Sequence, residues 1–150
     1  MAEVALVSSH SPWTAVGDGR IYGVTKASLA KGATAALAPS PEELWRHPAR
    51  LRAAYGRSIV YSLDTLVSYL ANYGDENTVM VFLGDHQPAP FITGEGASKD
   101  VPISIVAKDP AVLQQIDSWG WQNGLRPTEQ SPVWRMDEFR DRFLHSFTYD

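Results

Sequence analysis

The sequence predicts an α/β domain in which helices flank a mostly parallel central sheet. A long helical pattern covers about residues 49–73, with apolar side chains every three or four positions on one face. Short apolar runs at residues 3–9, 78–83 and 101–107 are typical of buried strands. Because helical patterns alternate with these runs, we expect the strands to form the middle layer.

The helical segments have recognisable local patterns. Ser40 suits an N-cap, and Pro41 suits the first position of a short helix. The long helix follows, and Gly56 within it costs about 1 kcal/mol relative to alanine, so we expect a local packing reason for it. Shorter patterns predict helices over about 110–119 and 136–147, the second with phenylalanines four positions apart. Residues 14–39 and 85–100 are predicted as loops.

Composition excludes several classes of function. With 150 residues, 44% hydrophobic and 20% charged, the chain can form one folded domain. A formal net charge of -4, without a cluster of basic residues, gives no reason to expect nucleic acid as a partner. Cysteine is absent, which excludes disulfides, thiolate metal ligands and a cysteine nucleophile. No apolar run approaches the roughly 20 residues that cross a bilayer, so we expect this piece itself to be soluble.

The end of the central predicted strand is the strongest candidate site. Five apolar residues run into Gly84, and Asp85 and His86 follow directly. Ligands of open α/β sheets gather beyond the carboxyl ends of strands, where His10 would also lie if the strands are parallel neighbours. A carboxylate beside an imidazole suits zinc or manganese, whereas calcium prefers oxygen ligands alone. The alternatives are that Gly84 and Asp85 form a simple turn and that His10 is a hydrogen-bonded loop residue.

Several blocks of the chain resemble the alkaline phosphatase superfamily. They are "SSHSPW" (8–13), "YSLDTLVSYL" (61–70), "TVMVFLGDHQP" (78–88) and "KDVPISIVAKDP" (99–110). In this order they resemble the C-terminal half of the catalytic domain in the sulfatase-like branch, which includes the lipoteichoic-acid synthases. The resemblance implies that Asp85 and His86 are metal ligands and that His10 contacts the phosphate or sulfate group of the substrate. The acid–histidine pair is closer to the phosphatase and phosphoglycerol-transferase branches than to true sulfatases.

The resemblance also implies that important groups lie outside this chain. In the family, a Thr or Ser nucleophile and a further acidic ligand precede the strand that ends at His10. We therefore expect residues 1–150 to be a single domain that forms the C-terminal fragment of a larger catalytic domain and is inactive alone. Its expected partners are the N-terminal part of the same protein and a phosphate or sulfate ester. The expected location is the extracytoplasmic domain of a bacterial membrane protein.

Two other hypotheses remain open. The chain could be a non-catalytic module that serves binding or assembly, or an unrelated α/β domain in which Asp85 and His86 belong to a turn. Exposed strand edges in a fragment favour pairing between copies, so a homodimer is a further expectation. The substrate, the metal and the choice between phosphate and sulfate are left open at this stage.

Overall fold

Helices and short strands alternate along the part of the chain that the structure describes. The computed structural model describes residues 1–11, 13 and 40–148. Its elements, in chain order, are α1 (Pro41–Trp45), α2 (Pro48–Tyr73), β1 (Val79–Leu83), α3 (Pro90–Thr93), β2 (Ile103–Ala107), α4 (Pro110–Gln114), a 3₁₀ turn (Asp117–Trp119) and α5 (Met136–Phe147). This mixture confirms the α/β class at its coarse level.

The chain divides into two compact units. The first comprises Met1–Gly74 and Ala89–Gly96, and the second comprises Asp75–Pro88 and Ala97–Asp150. Helices α1, α2 and α3 therefore belong to the first unit, while the two strands, α4 and α5 belong to the second. The predicted loop over 14–39 lies outside the described residues.

A capping box and one apolar stripe organise the first unit. The Ser40 hydroxyl accepts a hydrogen bond from the Glu43 backbone N–H, and the Glu43 carboxylate accepts one from the Ser40 N–H, both at 3.2 Å. This confirms the predicted start of α1. The 26-residue helix α2 begins within one residue of its predicted start and ends at the predicted residue. Its buried side chains join a small core that consists of Trp13, Leu44, Leu51 and Ala54.

The prediction of a parallel sheet is wrong for the described residues. Both predicted strands after α2 form, but β1 and β2 pair antiparallel, with Val81 opposite Ile105. The chain leaves β1 at Leu83, turns back and enters β2 at Ile103, which pairs with Leu83, so it makes no parallel crossover. The expectation that β1 is a buried strand is also wrong, because Val79 and Leu83 are 42% and 47% exposed. The two strands form the whole sheet among the described residues.

The predicted strand at residues 3–9 does not form. The segment is described, but it has no strand partner, and Val4 and Val7 are 75% and 78% exposed. A turn follows it, closed by the His10 N–H, which donates to the Val7 carbonyl at 3.1 Å. A short apolar run becomes a strand only where another strand satisfies its backbone groups. Composition alone therefore misidentified this segment.

Aromatic side chains hold the C-terminal part of the second unit together. The predicted helix over 110–119 is divided into α4 and the separate 3₁₀ turn, whereas α5 has its predicted bounds. Trp119 is buried and makes edge contacts with Trp121, Trp134 and Phe139, at centroid distances of 5.2, 5.4 and 6.0 Å. Edge-to-face pairs of this kind contribute about 0.5–1.5 kcal/mol beyond their buried area. They anchor α5 to the loop before it.

Candidate metal centre

Glycine at position 84 lets the chain leave β1 close to the segment that precedes β2. The Gly84 N–H donates to the Pro102 carbonyl at 3.2 Å, which extends the pairing by one step beyond β1. A Cβ atom at this position would lie 3.3 Å from the Cβ of Val101. That separation is tighter than most Cβ contacts, so a larger residue would require the Val101 side chain to shift by a few tenths of an ångström. Gly84 thus delivers Asp85 and His86 directly beyond the end of the sheet.

The structure brings the side chains of Asp85 and His86 together. Asp85 Oδ1 accepts a hydrogen bond from the His86 backbone N–H at 3.0 Å. This bond directs the other carboxylate oxygen, Oδ2, to a point 3.7 Å from His86 Nε2. Both side chains are largely exposed, at 90% for Asp85 and 74% for His86. The pair is therefore accessible to a ligand from solvent.

The hydrogen bond that His86 makes through Nδ1 bears on the state of its other ring nitrogen, Nε2. Nδ1 lies 2.9 Å from the backbone carbonyl oxygen of Gln87. A carbonyl oxygen can only accept a hydrogen bond, so Nδ1 must carry the hydrogen. In the neutral ring, Nε2 then has a free lone pair. This is the arrangement of most metal-binding histidines, whose other N–H donates to a carbonyl or carboxylate.

The donor pair fits a divalent transition metal. Metal–ligand bonds of about 2.0–2.2 Å at a tetrahedral angle separate two donors by roughly 3.4 Å. The distance between Asp85 Oδ2 and His86 Nε2 is 3.7 Å, so a small adjustment would let both atoms bind one ion. One oxygen and one imidazole nitrogen suit zinc or manganese better than calcium. Within the described ranges, no group of three or more His, Asp or Glu side chains could hold a metal together.

His10 belongs to the first unit, whereas the Asp85–His86 pair belongs to the second. His10 is exposed and follows a turn, because the strand predicted to precede it does not form. Its Nδ1 lies 2.8 Å from the carbonyl oxygen of Ser11. This is the same bond to the following carbonyl that His86 makes, and it leaves His10 Nε2 available to accept a hydrogen bond, or to donate one to an anion when the ring is protonated.

Sequence analysis missed the contacts of Gln87. Its side-chain amide donates a hydrogen bond to the backbone carbonyl of Asp100, thirteen positions away. Ser98 fixes Asp100 in turn: the Ser98 hydroxyl donates to Asp100 Oδ2 at 2.7 Å and accepts from the Asp100 N–H at 3.0 Å. Local sequence carries no signal for a partner so far along the chain. Only the return of the chain to β2 makes this contact.

Comparison with protein-family models, curated proteins and solved structures found no match to this chain. None of the described helices is both long enough and apolar enough to cross a membrane.

Proposed function

We propose that Asp85 and His86 supply two metal ligands of a metal-dependent phosphoryl- or sulfuryl-transfer enzyme. The observation that carries this proposal is the approach of Asp85 Oδ2 to within 3.7 Å of His86 Nε2, with Nδ1 of the same ring bonded to a carbonyl. Further support comes from the resemblance of residues 8–13, 61–70, 78–88 and 99–110 to sulfatase-like enzymes of the alkaline phosphatase superfamily. Within that proposal, the chain is the C-terminal part of the catalytic domain.

The proposed roles follow from the chemistry of each group. A divalent cation, with manganese or zinc preferred, would supply charge stabilisation to the transferring phosphoryl group and activate a nucleophile. Asp85 offers an anionic oxygen and His86 a neutral nitrogen, so the pair reduces the charge of the ion without cancelling it. His10, through Nε2, would donate a hydrogen bond to the transferring group when protonated. The Thr or Ser nucleophile would come from the N-terminal part of the same protein.

The proposed substrate is a phosphate ester in preference to a sulfate ester. An acid and a histidine at these positions resemble the phosphatase and phosphoglycerol-transferase branches, whereas sulfatases place an amide there around calcium. The proposed location is an extracytoplasmic domain of a bacterial membrane protein, as in the membrane-anchored members of that branch. Each of these assignments rests on the resemblance together with the ligand pair.

Isothermal titration calorimetry with Mn²⁺ and Zn²⁺ tests the ligand pair. We expect the 150-residue chain to bind at least one of these ions. The double variant Asp85→Ala, His86→Ala should lose binding, because it removes both donors. A control variant, Asp64→Ala with His145→Ala, removes the same two residue types from exposed positions on α2 and α5 and should bind as the wild type does. Equal binding by the wild type and the Asp85–His86 variant would refute the assignment and favour a non-catalytic binding or assembly module.

A further inference from the structure

A hydrogen bond between two loops of the second unit is made by Gln87, the residue that directly follows the Asp85–His86 pair. Gln87 is half-buried, and its side-chain amide donates to the Asp100 carbonyl, just before β2. Asp100 is itself held by its two hydrogen bonds with Ser98, at 2.7 and 3.0 Å. The side chain of Gln87 therefore connects the segment after β1 to the hydrogen-bonded segment before β2. Its anchor is independent of Asp85 and His86.

The main chain of Gln87 acts on His86 directly. The Gln87 carbonyl oxygen is the acceptor 2.9 Å from His86 Nδ1. If the side chain of Gln87 is anchored at Asp100, the position of this carbonyl is restricted as well, because both groups belong to one residue. A restricted carbonyl favours the tautomer in which Nδ1 carries the hydrogen and Nε2, which faces Asp85, is free.

We propose that Gln87 is a positioning residue that holds His86 in the Nδ1–H tautomer, so that Nε2 is presented beside Asp85 as a metal ligand. The part of this statement that concerns metal rests on the proposed function, whereas the part that concerns the tautomer stands on the metal-free chain. Partners that orient metal-binding histidines typically change metal affinity by 10–100-fold when they are removed. Gln87 would exert such an effect through the carbonyl that it anchors.

His10 provides an internal comparison within the same chain. It also bonds the following carbonyl through Nδ1, at 2.8 Å, but that carbonyl belongs to Ser11. A single exposed hydrogen bond contributes only about 0.5–1.5 kcal/mol, so it biases a tautomer weakly by itself. We therefore expect the substitution of Gln87 to change the ring of His86 and to leave the ring of His10 unaffected.

The test is the tautomeric state of each histidine, measured by long-range ¹H–¹⁵N correlation on the metal-free chain. The measurement is made near pH 8.5, about two units above the usual pKa of histidine. Gln87→Met keeps the length of the side chain and removes its donor. Gln114→Met makes the same change at an exposed position on α4 and serves as the control. We expect His86 to be mainly Nδ1–H in the wild type and in Gln114→Met, and to shift towards Nε2–H in Gln87→Met.

Calorimetry on the same variants separates this proposal from the proposed function. Metal binding that is about 10-fold weaker in Gln87→Met and unchanged in Gln114→Met supports both the role of Gln87 and the proposed function. An unchanged His86 tautomer in Gln87→Met overturns the role of Gln87, whatever the metal affinity. Equal metal binding by the wild type and by the Asp85→Ala, His86→Ala variant would refute the proposed function, while the tautomer measurement would still decide the role of Gln87.

Discussion

Short polar side chains organise both ends of β1 at the scale of single residues. After the strand, Asp85 Oδ1 accepts the His86 N–H, which turns Oδ2 towards the imidazole. Before the strand, Asp75 Oδ1 accepts the Thr78 hydroxyl at 2.8 Å and the Asn77 N–H at 3.0 Å. A carboxylate, which can only accept hydrogen bonds, thus stands at each end of the strand. Asp75 closes a turn, whereas Asp85 keeps one oxygen free.

The ionisation of the Asp75 carboxyl group makes the stability of the fold depend on pH. The Thr78 hydroxyl, followed by the Asn77 N–H, lowers the pKa of Asp75 below its ordinary value of 3.8, because both donate to the ionised form. A lowered folded-state pKa stabilises the fold above the ordinary pKa, and this contribution is lost as the pH falls through the folded value. We expect Thr78→Val to raise the pKa of Asp75, as measured by a ¹³C NMR titration of its carboxyl carbon.

The same substitution at a second threonine provides the control for this titration. Thr65 donates to the Tyr61 carbonyl within α2, so Thr65→Val should leave the pKa of Asp75 at its wild-type value. The difference in free energy of unfolding between the wild type and Thr78→Val should also diminish as the pH falls below about 4. An Asp75 pKa that is equal in the wild type and in Thr78→Val would show that the hydroxyl is not the cause of the shift.

The sequence predicted most accurately those helices and strands whose position depends on residues close together in the chain. The capping box at Ser40 set the start of α1, and α5 has its predicted bounds. The strands β1 and β2 were located within two residues, but their antiparallel orientation was not predicted. Capping and periodicity act within a few residues of the chain, whereas strand pairing depends on where distant segments meet. This difference explains which predictions failed.

Gly56 is an element-scale case in which the structure corrects the sequence interpretation. Beyond its chain neighbours and the backbone of its own helix, no atom among the described residues lies within 4 Å of a Cβ placed on Gly56, so no packing contact there requires glycine. We expect Gly56→Ala to increase the free energy of unfolding by about 0.5–1 kcal/mol, because alanine loses less backbone entropy in a helix. Thermal or urea denaturation, followed by circular dichroism, measures this change.

Gly94 gives a matched contrast for this substitution. Its Cβ position is equally open, but its φ of +94° lies in a region that alanine adopts only under strain. Gly94→Ala should therefore destabilise the chain by about 1 kcal/mol or more, whereas Gly56→Ala stabilises it. Equal effects of the two substitutions would mean that helix propensity does not control the stability of α2.

At the scale of the whole molecule, the sequence predicted only the part of the candidate site whose residues are neighbours in the chain. Asp85 and His86 are neighbours in sequence, so the end of β1 was enough to place them together. The bridge from Gln87 to Asp100 spans thirteen positions and depends on the antiparallel return of the chain, which sequence analysis did not predict. His10 was assigned to a strand end, but the segment before it forms no strand and lies in the other unit.

The proposed function predicts that the intact protein has phosphate-ester transfer activity. If Asp85 and His86 hold the catalytic cation, Asp85→Ala should lower the rate of phosphate-ester turnover by at least about 100-fold, because charge stabilisation at the transferring group is lost. The measurement compares an aryl phosphate with an aryl sulfate, at saturating Mn²⁺ and Zn²⁺, and the phosphate should react faster in the wild type. Asp64→Ala, which removes an exposed carboxylate from α2, should retain wild-type rates. Normal turnover by Asp85→Ala would remove the carboxylate from the mechanism, because an exposed aspartate that makes no contact with the cation can be lost without cost.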